Sequence, residues 1–173
     1  PILYTSADSV WQIAAHEETF GLERLYAISK RARKICDELQ ISRVIARPFM
    51  GKSAADFKRT HHRKDLSQTP PKKTMMEYAI DAGHKTVGIG KIWNIFNGRG
   101  IQESLETEDN ADGMRVIMKT LDSHKQGLLF ANLIDFDMNY GHRRDIPGFA
   151  NALADFDAFI PKLEAKLTER DLL

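Results

Sequence analysis

An almost continuous run of apolar residues, from Leu128 to Ile134, is the feature that most constrains the fold of this chain. Strands covered by helices on both faces have such runs, whereas a strand with one solvated face alternates apolar and polar residues. A helical pattern stands on each side of the run, over residues 111–124 and over residues 147–168. We therefore predict a buried strand in a parallel sheet covered by helices.

The same alternation of helix and strand occurs earlier in the chain. Thr74 is a suitable N-cap for a helix ending at Ala82 before Gly83, and residues 85–90 have the composition of a buried strand. Residues 22–40 predict an amphipathic helix, and residues 43–46 a short strand that ends at Pro48. Residues 51–73 lack periodicity and include two consecutive prolines, which indicates a loop or domain connection.

The predicted fold class is therefore α/β, in two parts. Residues 1–66 form a small α+β part, and residues 67–173 form part of a parallel α/β sheet. The chain starts directly with a strand-like segment and ends with apolar residues after a charged helix tail. Because domain termini are usually polar and frayed, we expect the chain to be a piece of a longer polypeptide.

Charge and composition exclude several classes of function. There are 25 lysines and arginines against 24 acidic residues, so bulk electrostatics give no reason to expect a polyanion-binding protein. The single cysteine, Cys36, excludes an internal disulfide and a cysteine-rich zinc site. No apolar run approaches the ~18 residues that span a bilayer. We expect a cytoplasmic protein without a membrane partner.

The strongest candidate site follows the apolar run. Asp137 and His142 lie five positions apart in a segment that contains Gly141, so both side chains could turn toward one point. A carboxylate with an imidazole suits manganese, iron or zinc better than magnesium or calcium. Two ligands do not complete a metal site, so further ligands would have to come from elsewhere. The alternative is that Asp137 caps a turn and His142 bonds the loop backbone.

Two further groups could contact an anionic or sugar ligand. Ser6 and Asp8 could bind sugar hydroxyls, although capping of a helix that contains Val10, Trp11 and Ile13 is the simpler interpretation. Basic residues could bind phosphate or nucleic acid, or could be a solvated surface; these are Arg43, Arg47, Lys91 and the run 58–64. Aromatic residues that would stack on single-stranded bases are sparse near the run, which disfavours nucleic acid.

Together these segments resemble the phosphopentomutases, a metal-dependent family of the alkaline phosphatase superfamily. The matching segments occur in the family's order and cover nearly the whole chain; they are residues 4–9, 12–17, 43–49, 57–60, 90–92, 98–101, 132–137 and 140–145. The resemblance implies an alkaline-phosphatase-like fold, with the second part of an α+β cap followed by part of the core sheet. It implies interconversion of (deoxy)ribose 1-phosphate and 5-phosphate.

The resemblance also implies cofactors and site residues. Family members use a phosphorylated threonine, two manganese ions and a sugar bisphosphate activator. Asp137 and His142 match two ligands of one manganese ion, and Lys91 matches a substrate-contacting lysine of the core. Further matches to substrate-contacting positions fall in the cap; they are Ser6, Asp8, Arg43, Ile45 and Arg59.

The segments that carry the nucleophilic threonine and the remaining metal ligands have no counterpart here. We therefore expect the isolated chain to be inactive, to bind manganese weakly, and to have the other segments of its own polypeptide as partners. Two alternatives remain open at this point. One is another metal-dependent phosphatase or phosphomutase of the superfamily, and the other is a non-enzymatic module that binds anions or nucleic acid.

Overall fold

The computed structural model describes residues 1–6, 10–124 and 126–173, without the side chain of Ser6. The chain divides into two compact units: unit 1 is Pro1–Pro71 and unit 2 is Lys72–Leu173. Both units combine helices with a sheet that contains parallel strand pairs, which confirms the predicted α/β class. Within the described part of the chain, no helix is both long and apolar enough to cross a membrane.

Unit 1 is built on a five-stranded mixed sheet. Its strands are β1 (Ile2–Ser6), β2 (Val10–His16), β3 (Arg43–Met50), β4 (Lys58–Arg59) and β5 (Lys64–Ser67). The strands β1 and β2 pair antiparallel, β2 and β3 pair parallel, and β4 and β5 both pair antiparallel with β3. The crossover from β2 to β3 passes through α1 (Glu17–Phe20) and α2 (Leu22–Glu38).

The core of unit 1 lies between α2 and one face of this sheet. The predicted amphipathic helix is confirmed, because its apolar residues Leu25 and Cys36 pack against Val44 and Ala46 of β3. These alternate β3 positions face α2, so Arg43, Ile45 and Arg47 lie on the opposite side of the strand. We call that opposite side the helix-free face of unit 1.

Three local predictions in unit 1 were wrong. Val10, Trp11 and Ile13 belong to strand β2, because the hairpin with β1 and the parallel pairing with β3 place them in a sheet. Strand β3 continues through Pro48 to Met50, and Pro48 still accepts a backbone hydrogen bond from Thr60. The segment expected to be a loop contains β4 and β5, which are too short and polar to give a periodic signal.

Unit 2 has a three-stranded parallel sheet with the order β7-β6-β8. Strand β6 (Lys85–Ile89) is central, β7 (Glu103–Leu105) is on one side and β8 (Gly127–Ala131) is on the other. The helices are α3 (Met75–Asp81), α4 (Ile92–Ile95), α5 (Asn110–Ser123) and α6 (Ile146–Glu164), with a π-helix at Phe136–Gly141. Every helix and strand predicted in this part is present, but the predicted burial of the apolar strand was wrong: β8 is at the edge of this three-stranded sheet, and none of its five residues is buried. The elements β7, α4 and the π-helix were not predicted.

Capping explains where the helices of unit 2 begin. Thr74 and Glu77 form a reciprocal capping box at the start of α3, as the sequence predicted for Thr74. Asp109 caps α5, and Asp145 caps α6 by accepting from the backbone N–H of Gly148. Defined helix starts fix the register of each helix on the sheet, and therefore fix which loops reach the carboxyl ends of the strands.

Candidate functional site

The carboxyl ends of β6 and β8 meet at one edge of the unit 2 sheet. Beyond the two strands, the N–H of Asn132 donates to the carbonyl of Ile89 at 3.0 Å. Gly90 has φ +77° and lies so close to β8 that a Cβ atom there would be 2.4 Å from the Asn132 carbonyl oxygen. This close approach places Lys91, next in sequence, beside the segment that follows β8.

The segment after β8 forms a π-helix that brings Asp137 and His142 together. The N–H of His142 donates to the carbonyl of Asp137 at 3.0 Å, which is the i to i+5 bond of a π-turn. In an α-helix, residues five apart would be rotated by about 140° from each other. The wider π-turn instead stacks the two residues, so the sequence correctly predicted their convergence but not the helix that produces it.

The two side chains approach each other closely in solvent. Atom Nε2 of His142 lies 3.2 Å from Oδ1 of Asp137, and the side chains are 64% and 72% exposed. Two ligands of one metal ion, each about 2.1 Å from it at about 90–110°, are about 3.0–3.4 Å apart. The nitrogen–oxygen pair therefore fits two positions of a metal site that is open to solvent.

The pair does not complete a metal site by itself. Among residues 1–6, 10–124 and 126–173, no group of three or more His, Cys, Asp or Glu residues could hold a metal ion. Transition metals and Mn²⁺ usually need four to six donors. Further donors would have to come from outside the described residues or from water.

Asp135, two residues before Asp137, has a structural role. Its side chain is 8% exposed, and Oδ2 accepts from the backbone N–H of Asn110 at 2.7 Å. In return, the N–H of Asp135 donates to the Asn110 side chain at 2.9 Å, and Asn139 donates to the second carboxylate oxygen at 2.7 Å. This network anchors the π-helix to the start of α5, so of the two carboxylates only Asp137 is presented to solvent.

Sequence reasoning did not identify Asn110 and Asn139 as supports of the site. The spacing of Asn139 from Asp135, four residues, was a usable signal for a contact within one helical turn. The contact between Asn110 and Asp135 joins residues 25 positions apart, and no local pattern indicates it. Such supports matter because they hold the backbone that presents the ligands.

Lys91 contacts the same segment. Its Nζ lies against Sδ of Met138, the residue that follows Asp137. The structure therefore brings together three predicted site residues of unit 2, Lys91, Asp137 and His142, at the carboxyl edge of the sheet. A cation beside a carboxylate and an imidazole is an arrangement in which a phosphate group and a metal ion could be bound side by side.

In unit 1, the predicted contacts lie on the helix-free face. Arg43 and Ile45 are on this face, and Arg59 joins it because Arg59 is the strand partner of Phe49, two residues beyond Arg47. Ile45 is only 2% exposed, so it would offer little surface to a ligand. Asp8 and the side chain of Ser6 lie outside the described residues.

Two arginines of unit 1 have shifted pKa values. The pKa of Arg47 is lowered, first by burial and then by the positive charges of Arg63 and Arg59. The pKa of Arg63 is raised, chiefly by its hydrogen bonds to Asp65. The two pKa shifts have opposite directions because burial and then neighbouring cations act on Arg47, whereas Arg63 has a carboxylate partner.

The basic run 58–64 is distributed between different contacts. Lys64 lies over the ring of Tyr26 on the α2 side of the sheet, with Nζ 5.1 Å from the ring centroid. Nδ1 of His62 donates to the Glu17 carboxylate at 2.8 Å, and the rings of His61 and His62 are 3.9 Å apart. The run is therefore not one continuous basic surface, which weakens the nucleic-acid alternative.

Comparison with known proteins also indicates a metal-dependent class of enzyme. A profile of the Metalloenzyme superfamily matches residues 14–173. The chain belongs to the Metalloenzyme superfamily.

Curated relatives define the similarity more narrowly. The whole chain is 52% identical to part of a phosphopentomutase of Acetivibrio thermocellus, of which it covers 45%. It is 51% identical to a phosphopentomutase of Symbiobacterium thermophilum and 48% identical to one of Legionella pneumophila, covering 44% and 42% of these proteins. The chain thus spans less than half the length of the curated relatives it matches.

Proposed function

We propose that this chain is part of a phosphopentomutase, an isomerase that interconverts (deoxy)ribose 1-phosphate and (deoxy)ribose 5-phosphate in the cytoplasm. The observation that supports this most strongly is the identity of about half of all residues, along the whole chain, to proteins of that name. In this proposal residues 1–66 belong to the cap and residues 67–173 to the metal-binding core.

Asp137 and His142 would hold one of two manganese ions in the longer polypeptide. The metal, when bound, would supply positive charge to the oxygens of a phosphoryl group during transfer. The 3.2 Å separation of Nε2 and Oδ1 and the exposure of both side chains suit this role. The nucleophilic threonine, the remaining ligands and the site of the sugar bisphosphate activator would come from other segments of the same polypeptide.

The basic and polar residues would bind the pentose phosphate. Lys91 would be a substrate-contacting residue of the core. Residues of unit 1 would contact it from the cap, and the proposed set is Ser6, Asp8, Arg43, Ile45 and Arg59. Fixed cations bind a phosphate monoester well because their charge is already in place when the substrate arrives.

The test uses the longer polypeptide and the variant Asp137→Asn. We expect turnover of ribose 5-phosphate to fall by at least about 100-fold, because one metal ligand loses its charge. Asp157→Asn, at an exposed position of α6, is the matched control and should keep full activity. Manganese bound per molecule, measured by electron paramagnetic resonance, should fall only in Asp137→Asn.

Two results would contradict the proposal. One is a wild-type protein that turns over phosphoglycerate but not ribose 5-phosphate, which would indicate another phosphomutase of the superfamily. The other is full mutase turnover by a preparation that contains only these 173 residues, because the proposal assigns the nucleophile to a different segment.

A further inference from the structure

The helix-free face of unit 1 carries more positive charge than the proposed substrate contacts account for. Arg47 lies on this face between Ile45 and Phe49, because each of them is two residues away along β3 and therefore points to the same side of the sheet. Arg59 is beside it through the pairing of β4 with β3, and Arg63 comes immediately before β5, which pairs with the same edge of β3 as β4 does. Three arginines therefore lie near one another along this edge of β3.

Among the described residues, Arg47 has no carboxylate partner at that edge. Its Nε donates to the side-chain oxygen of Gln12, which is itself buried. Within residues 1–6, 10–124 and 126–173, no carboxylate oxygen lies within 4.0 Å of a guanidinium nitrogen of Arg47, the distance that defines an ion pair. The nearby carboxylate of Asp65 is engaged by two hydrogen bonds from Arg63.

This arrangement is costly unless an anion completes it. A partly buried guanidinium loses hydration, and two neighbouring cations raise the cost further. The neutral amide of Gln12 fixes Nε and leaves the two terminal nitrogens of Arg47 for another acceptor. A phosphate monoester suits these nitrogens, because it can accept two parallel hydrogen bonds and carries about two negative charges.

We propose that Arg47, held in place by Gln12, binds the phosphate group of the substrate together with Arg59 on the helix-free face of unit 1. The inference rests on the proposed function in taking a pentose phosphate as the ligand. It adds Arg47 as a substrate-binding residue and Gln12 as the residue that positions it.

The first experiment is an NMR titration of the 173-residue chain with ribose 5-phosphate and, separately, with inorganic phosphate. In the unmodified chain we expect both ligands to shift the Arg47 Nε signal. In Arg47→Met we expect the dissociation constant for both to rise at least about 10-fold, since a charge-assisted bidentate contact is lost. Arg31→Met, an exposed arginine of α2, is the matched control and should bind like the unmodified chain.

A second variant, Gln12→Glu, separates binding from folding. It places a carboxylate against Arg47, so it should supply the missing partner, preserve the melting temperature and still weaken phosphate binding at least about 10-fold. A merely structural pair of Arg47 and Gln12 would give the opposite pattern: Arg47→Met would lower the melting temperature, and neither variant would change phosphate affinity. That pattern would overturn the proposal.

The remaining outcomes separate this inference from the proposed function. If Arg59→Met weakens binding and Arg47→Met does not, the inference is wrong and the phosphopentomutase proposal stands. If neither ligand shifts the Arg47 Nε signal of the unmodified chain, the inference is also wrong. The proposed function is then still decided by the mutase turnover of the longer polypeptide. Tighter binding of a single-stranded oligonucleotide than of ribose 5-phosphate at the same residues would replace it with a polyanion site.

Discussion

The two units of this chain place their polar side chains in different parts of a sheet. In unit 1, one face of the sheet packs on α2 and the other face carries arginines. In unit 2, the central strand β6 is buried over four of its five residues, and the charged residues of the candidate site lie beyond the strand ends. The difference follows from the coverage of each sheet: a sheet with one covered face has a second face free for polar residues, whereas strands covered on both faces leave only their ends.

The largest expected effect is on the covered face of unit 1. Leu25→Ala removes a side chain that is 1% exposed, so it should lower the free energy of unfolding by about 2–5 kcal/mol. Ile35→Ala, on the same helix but 57% exposed, should cost much less. Urea denaturation of both variants measures the difference, and equal losses would mean that α2 does not pack as described.

The strand ends of unit 2 depend on Gly90. Alanine at position 90 would combine a positive φ with a Cβ 2.4 Å from a backbone oxygen. We expect Gly90→Ala to lower the free energy of unfolding by about 2–4 kcal/mol. Gly83→Ala is the control, because Gly83 has φ +82° but nothing within 4 Å of an added Cβ. Its free energy of unfolding should fall by only about 1–2 kcal/mol, because only the positive φ is unfavourable for alanine there. Similar losses in thermal unfolding would contradict the close approach of β6 and β8.

The neighbouring carboxylates of unit 2 should separate structure from chemistry. Asp135→Ala leaves the buried N–H of Asn110 without its acceptor and should cost about 1–3 kcal/mol. Asp137→Asn changes an exposed group and should alter stability by less than about 0.5 kcal/mol. Denaturant midpoints of the two variants test this, and the assignment fails if Asp137→Asn is the more destabilised protein.

The smallest expected effect concerns pH and the capping box of α3. The pKa of Glu77 is held below its ordinary value of 4.5, first by the hydrogen bond from the Thr74 N–H and then by Arg99. Because the folded pKa is the lower one, this stabilisation is present above 4.5 and is lost as pH falls through the folded pKa. Glu77→Gln should therefore flatten the dependence of stability on pH below about 5.

Melting temperatures measured as the pH is lowered from about 6 through the ordinary value of 4.5 follow this effect. Glu164→Gln, at an exposed position near the end of α6, is the control. If both variants keep the same acid dependence as the unmodified chain, the capping box does not contribute through the ionised carboxylate.

Sequence reasoning succeeded where the determining contacts are local. The periodicity of α2, the cap at Thr74 and the apolar strands β6 and β8 are all encoded within a few neighbouring residues. It failed for β2, whose residues suit a helix or a strand until the pairing partners are known. It also missed β4 and β5, which form only because β3 offers an edge to pair with.

The candidate site shows the same division. The convergence of Asp137 and His142 was predictable because both residues lie in one short segment. For Lys91, the sequence predicted only that it lies at the same edge of the sheet as that segment, and not the contact itself. The partner of Arg47 is Gln12, 35 residues away, and the pair became visible only when parallel pairing of β2 and β3 put both on one face.

The π-helix makes the number of residues between Asp137 and His142 more important than their identity. Deleting one residue from the turn would convert it toward ordinary α-helical winding and carry the imidazole around the axis, away from the carboxylate. An exchange at exposed Met138 would leave the count, and hence the alignment, unchanged. Related chains should therefore vary in composition within this turn far more readily than in length.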